Sequence, residues 1–92
     1  MARYVQRPVE VEAIQWRGEH GNLDELFALT GRIKRDGLPD GQIGIYSPLH
    51  PSAGYRIAKI GDWVVKTLDG DVHPMRDEEF NSVYVLADIL GL

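Results

Sequence analysis

The chain predicts an α+β domain, a mostly antiparallel and strongly twisted sheet of about five strands with one helix packed on it. Three observations lead there. Short segments rich in valine, isoleucine and tyrosine recur along the 92 residues, parted by glycine, proline and aspartate turn signals. The stretch from Gly61 to Pro74 writes two strands and the turn between them. Only the stretch after Asn22 carries clear helical spacing with a start and a stop. This length supports one modest core, and 43% hydrophobic with 26% charged residues places the chain among globular proteins. One domain over 1–92 is expected, with a loop-rich segment at 36–54 and an apolar tail at 88–92.

The hairpin is the strongest local signal. Asp69-Gly70 favours a two-residue type I′ turn, whose central positions both need positive φ. Counting outward pairs Leu68 with Asp71, Thr67 with Val72, Lys66 with His73, Val65 with Pro74 and Val64 with Met75. Trp63, Val65 and Val72 then share the face assigned to the core. Val64, Leu68 and Met75 fall on a mixed second face with Lys66 and His73, to be covered in part by another element or a partner. A longer loop around Asp69 to Asp71 shifts this pairing by one.

From the N-terminus, the run from Arg3 to Gln15 reads as a strand, with valines alternating with glutamates from Val9 to Glu12 and Pro8 at its start or an outer position. Val9, Val11 and Ala13 share a face, yet Ile14 and Trp16 fall on the glutamate side. Either a bulge resets the face near Ala13 or the far face becomes covered there. Asn22 and Glu25 have the spacing of a capping box, Leu23, Leu26 and Phe27 form one stripe, and Gly31 closes the helix after Thr30. Residues 32–34 read as extended and Gln42–Tyr46 as a strand, and Gly61-Asp62 reads as a turn that reverses the chain after Tyr55–Ile60. Arg76–Asn81 suggests a turn of helix capped by Asp77 with Phe80 as its apolar plug. Val83–Ala87 reads as a final strand. Trp16 and Trp63 are both expected in the core.

Composition excludes several functions. The net charge is −4 with few clustered cations beyond Arg32, Lys34 and Arg35, which disfavours nucleic acid. No apolar run approaches the roughly 18–20 residues that cross a bilayer, and the start lacks an apolar signal core, so a membrane is not expected and a cytoplasmic protein is. The chain has no cysteine, which removes disulfides and thiolate chemistry. His20, His50 and His73 show no metal-ligand spacing, and no serine stands in a nucleophile elbow. No catalytic, metal or cofactor residue is assigned and no cofactor is expected. An enzyme using His50 or His73 would need a fold that gathers them with a carboxylate.

Four separated blocks carry a resemblance. The R-P-V-E-V-E-A-I-Q-W run ending at Trp16, the N-L-D-E-L-F helix from Asn22, the G-D-W-V-V-K strand from Gly61 and the D-G-D-V-H-P-M-R-D-E-E-F-N-S-V-Y run from Asp69 occur in that order. Together they resemble a family of small bacteriophage and prophage proteins of unassigned function. The resemblance implies a phage accessory protein made in the host bacterial cytoplasm and brings no catalytic residues with it. The chain departs from the pattern at Ile60, where a proline is usual, at Met75, where a cysteine is usual, and in its longer tail. A non-enzymatic binding module acting on a host or phage protein is therefore the leading expectation, with a self-associating homodimer or larger structural assembly as the alternative. Loops carry binding more often than scaffolds do, so the candidate contact residues are Tyr46, Leu49, His50 and Tyr55, joined by the tail residues Ile89, Leu90 and Leu92.

Overall fold

A computed structural model describes residues 2–3 and 10–84, with Glu19 and His20 described in backbone alone. The elements in order are β1 (Glu12–Gln15), α1 (Glu19–Thr30), β2 (Ile33–Lys34), β3 (Ile43–Tyr46), a 3-10 turn (Pro51–Ala53), β4 (Tyr55–Ala58), β5 (Trp63–Lys66), β6 (Val72–Met75) and α2 (Asp77–Val83). The α+β class and the antiparallel pairing agree with the sequence. The single sheet of about five strands with one helix does not: among the described residues there are two three-stranded sheets, β1-β5-β6 and β2-β3-β4, and two α-helices. The physical reason lies in the apolar positions. Ile43, Ile45 and Ala58 on one sheet and Val64 and Val72 on the other are all buried in one cluster with Trp16 and Leu26. Two facing sheets bury both sets at once, which one sheet with a short helix cannot do.

The Asp69-Gly70 turn is one residue longer than the two-residue form. Gly70 N–H donates to the Thr67 carbonyl at 3.0 Å and Thr67 N–H to the Asp71 carbonyl at 3.0 Å, enclosing a loop of Leu68, Asp69 and Gly70. Gly70 takes φ 92°, and among the described residues only glycines have positive φ, so Asp69 keeps an ordinary conformation. Its carboxylate instead accepts the Thr67 hydroxyl and the Asp71 N–H. The turn is thus a three-residue loop with glycine at its left-handed position. Register moves by one, to Trp63↔Met75, Val64↔Pro74, Val65↔His73 and Lys66↔Val72.

That single step exchanges the faces. Val64 and Val72 look into the core cluster, whereas Trp63 lies half-buried on the opposite side with Met75 and Val65; Val65 is fully buried as expected, but Trp63 and Val65 do not share a face with Val72. On β1 the register runs without a break through Ala13↔Val65 and Ile14↔Val64. No bulge resets the face; the Ile14 and Trp16 side is covered by the second sheet. Trp16 is fully buried, and its indole N–H is satisfied by the Gly41 carbonyl at 2.8 Å.

In α1 the Gly31 stop forms as expected, with φ 73° and its N–H on the Phe27 carbonyl at 2.8 Å. The start differs. Asn22 sits at a kink with φ −147° and ψ 35°, and Gly18 takes the N-cap position. Leu26 is buried with Leu23 and Leu29 against the core, while Phe27 is 40% exposed and leaves the predicted stripe. At the other end Arg76 is the N-cap of α2 and Asp77 its first residue. Val83 closes that helix, so a strand does not begin there. Residues 85–87 of the expected final strand, the 4–9 portion of the first one and the tail residues Ile89, Leu90 and Leu92 lie outside the described residues.

Candidate functional site

The described residues of the four sequence blocks meet in one hydrogen-bonded frame. Trp16 N–H donates to the Asp62 carbonyl and Gly61 N–H to the Trp16 carbonyl, both at 2.8 Å. The Asn22 amide donates to the Gln15 carbonyl at 2.6 Å and accepts the Arg17 N–H at 2.9 Å. Asp77 accepts Trp63 Nε1 at 2.9 Å, Gln15 Nε2 at 3.3 Å and Asn81 Nδ2 at 2.9 Å. Phe80 then stacks on Trp63 with centroids 4.0 Å apart and planes 9° apart. These residues are occupied in holding β1, β5, α1 and α2 together. The second sheet, built from 33–58, stands outside the blocks.

Its outward face is set by strand alternation. Register pairs Tyr46 with Tyr55 and Gly44 with Lys34 and with Ile57, so these residues share a face while Ile33, Ile43, Ile45, Arg56 and Ala58 share the other. The Tyr46 and Tyr55 rings meet edge to face at 6.0 Å and 70°. The Arg32 guanidinium lies 3.9 Å from the Tyr46 ring centre and the Lys34 ammonium 5.4 Å from that of Tyr55. Gly44 makes this packing possible. A Cβ there would stand 2.7 Å from Tyr55 Cδ2 and 2.9 Å from Lys34 Cβ, so the ring occupies the space that a side chain would take. Tyr55 at 41% and Ile57 at 37% remain exposed. None of the residues of β2, β3 or β4 is acidic, and from 31 to 61 the charged residues are Arg32, Lys34, Arg35, Arg56 and Lys59 against Asp36 and Asp40.

The other face of this sheet opens at one end into a cleft of about 360 Å³, floored by Ile45 and Val72 and rimmed by Ser47, His50, Arg56, Asp71 and His73. Ser47 donates its hydroxyl to one Asp71 carboxylate oxygen, and His73 Nδ1 lies 3.8 Å from the other. Asp71 therefore stands between serine and histidine. In a nucleophilic triad the imidazole stands between them and removes the serine proton; here the hydroxyl proton points at a carboxylate. Among the described residues no group of three histidine or carboxylate side chains is placed to hold a metal ion.

The predicted site residues separate into two places. Tyr46 and Tyr55 come together as the ring pair on the outer face. His50 joins His73 in the cleft, and Leu49, 47% exposed, sits on the connecting loop. Sequence reasoning missed Arg32 and Lys34 as partners of the rings, and Ser47, Arg56 and Asp71 as parts of the cleft. The charge imbalance of 31–61 was a signal available for the first pair. Pairing of Arg56 with Ile45 required the tertiary register. Comparison with protein-family models, curated proteins and solved structures finds no match to the chain.

Proposed function

We propose that this chain is a non-enzymatic binding module, a phage accessory protein that engages a host or phage protein in the bacterial cytoplasm through the outer face of β2, β3 and β4. The observation that carries the reading is the Tyr46–Tyr55 pair seated over Gly44 with Arg32 and Lys34 at the rings. Tyrosine and arginine dominate the energetics of protein interfaces because they combine large contact area with a directed polar end. Here the rings are already packed in place, so little side-chain entropy is left to lose on association. The cations suit a partner surface that carries carboxylates. Phage origin is supported by the four sequence blocks alone, and the same blocks are used in the frame, which leaves the second sheet free for a partner.

The test is capture of the tagged chain from a bacterial host lysate beside the Tyr46→Ala/Tyr55→Ala double variant, with circular dichroism to establish that both are folded. A specific protein retained by the wild type and lost by the folded variant is the expected result. Equal retention by the two overturns the assignment of this face, and recovery of no specific protein at normal expression overturns the module reading.

A further inference from the structure

We propose that the cleft between the sheets is a binding site for a small organic oxyanion, a phosphate or carboxylate on a short apolar body, with Arg56 as its charge anchor. Arg56 lies opposite Ile45 on the face that buries Ile43 and Ala58. Its side chain is exposed at the end of that face, where the cleft opens. A guanidinium is charged at every physiological pH and presents a fork of donors suited to two oxygens at once. Among the described residues no carboxylate lies within ion-pair distance of it.

The one carboxylate on the rim does not answer that charge. Asp71 is engaged by the Ser47 hydroxyl and faces His73 Nδ1. His50 adds an imidazole at the rim. An anion entering the cleft would meet the Arg56 guanidinium and the His50 imidazole, with His73 at the edge. Beneath them the edges of the buried Ile45 and Val72, with the exposed Ala53 beside them, form an apolar floor that bare inorganic phosphate would leave unused. The volume of about 360 Å³ is that of a small-molecule pocket. Ligand contact with floor and rim together selects an anionic head on a compact hydrocarbon or aromatic group.

Backbone amide NMR of the full chain, titrated with phenyl phosphate, with benzoate and with inorganic phosphate at constant ionic strength, tests this. Saturable shifts centred on Ser47, His50, Arg56 and Asp71 to His73 are expected, with phenyl phosphate or benzoate binding about tenfold or more tighter than inorganic phosphate because of the floor. The Arg56→Gln variant should lose about tenfold or more in affinity, as removal of a charge-assisted contact does, while Arg56→Lys keeps part of it. His50→Gln, in an exposed loop, should weaken binding without touching the fold. Arg32→Gln, on the opposite face, should leave it unchanged, so this site stands or falls separately from the protein-binding face. Shifts that do not saturate, that chloride reproduces, or that persist undiminished in both Arg56→Gln and His50→Gln overturn the proposal.

Discussion

Asn22 is the sole buried polar residue among those described, 4% exposed, and its side chain bridges two backbone groups at the exit of β1. Replacing it by alanine strands the Arg17 N–H and the Gln15 carbonyl in a site that water enters poorly. Each stranded group costs about 1–3 kcal/mol, so the loss should be about 2–4 kcal/mol once partial solvent access is allowed. For a domain of this size that lowers the thermal midpoint by roughly 10–25 °C. Denaturant unfolding followed by tryptophan fluorescence measures it directly. Two further variants separate this role from helix capping. Serine caps helices as well as asparagine does but is too short to span Gln15 and Arg17, so Asn22→Ser should be nearly as damaging as Asn22→Ala. Glu25→Ala, which would break a capping box, should cost under about 0.5 kcal/mol. An Asn22→Ala loss below about 0.5 kcal/mol, or a stable Asn22→Ser paired with a damaging Glu25→Ala, refutes the reasoning.

Other perturbations follow from the same geometry. Gly44→Ala places a methyl 2.7 Å from the Tyr55 ring; it should cost about 1–3 kcal/mol and move the Tyr46 and Tyr55 ring resonances together, whereas unchanged rings would deny that glycine seats the pair. Phe80→Ala removes the plate stacked on Trp63 and should cost about 2–3 kcal/mol. Because a helix of seven residues does not persist alone, Trp63 emission should shift to the red well before global unfolding. The Thr67 hydroxyl, with help from the Asp71 N–H, holds the Asp69 carboxyl below its ordinary value of 3.8. A lowered carboxyl contributes stability above that ordinary value and loses it as pH falls through the folded one. The thermal midpoints of wild type and Asp69→Asn should therefore differ at neutral pH and converge in acid below 3.8, and a constant gap would count against the turn contacts.

Much of the fold was legible because local chemistry speaks through short distances. Glycine at 31 can only end a helix that the preceding leucines begin, and valine–isoleucine runs between turn residues mark strands wherever they pack. The β3, β5 and β6 segments were placed within a residue or two on that ground. The candidate surface was half legible. Tyr46 and Tyr55 were singled out, but the cations at their rings were not, since Arg32 and Lys34 reach the rings only across a strand pairing that no spacing reveals.

By itself, then, the sequence determined the α+β class, the antiparallel strands, the Gly31 stop and the burial of Trp16. The tertiary structure alone decided whether five strands make one sheet or six make two, and which face of each strand is inward. The reason is the period of two along a strand. One extra residue in the turn at Leu68 to Gly70 reverses every side chain on that hairpin arm relative to its partner, and the turn length depends on whether Asp69 adopts positive φ or accepts the Thr67 hydroxyl instead. Asn22 teaches the same thing. Its spacing from Glu25 suits a helix cap, yet the nearby β1 backbone offers two stronger partners, and only packing brings that backbone within reach.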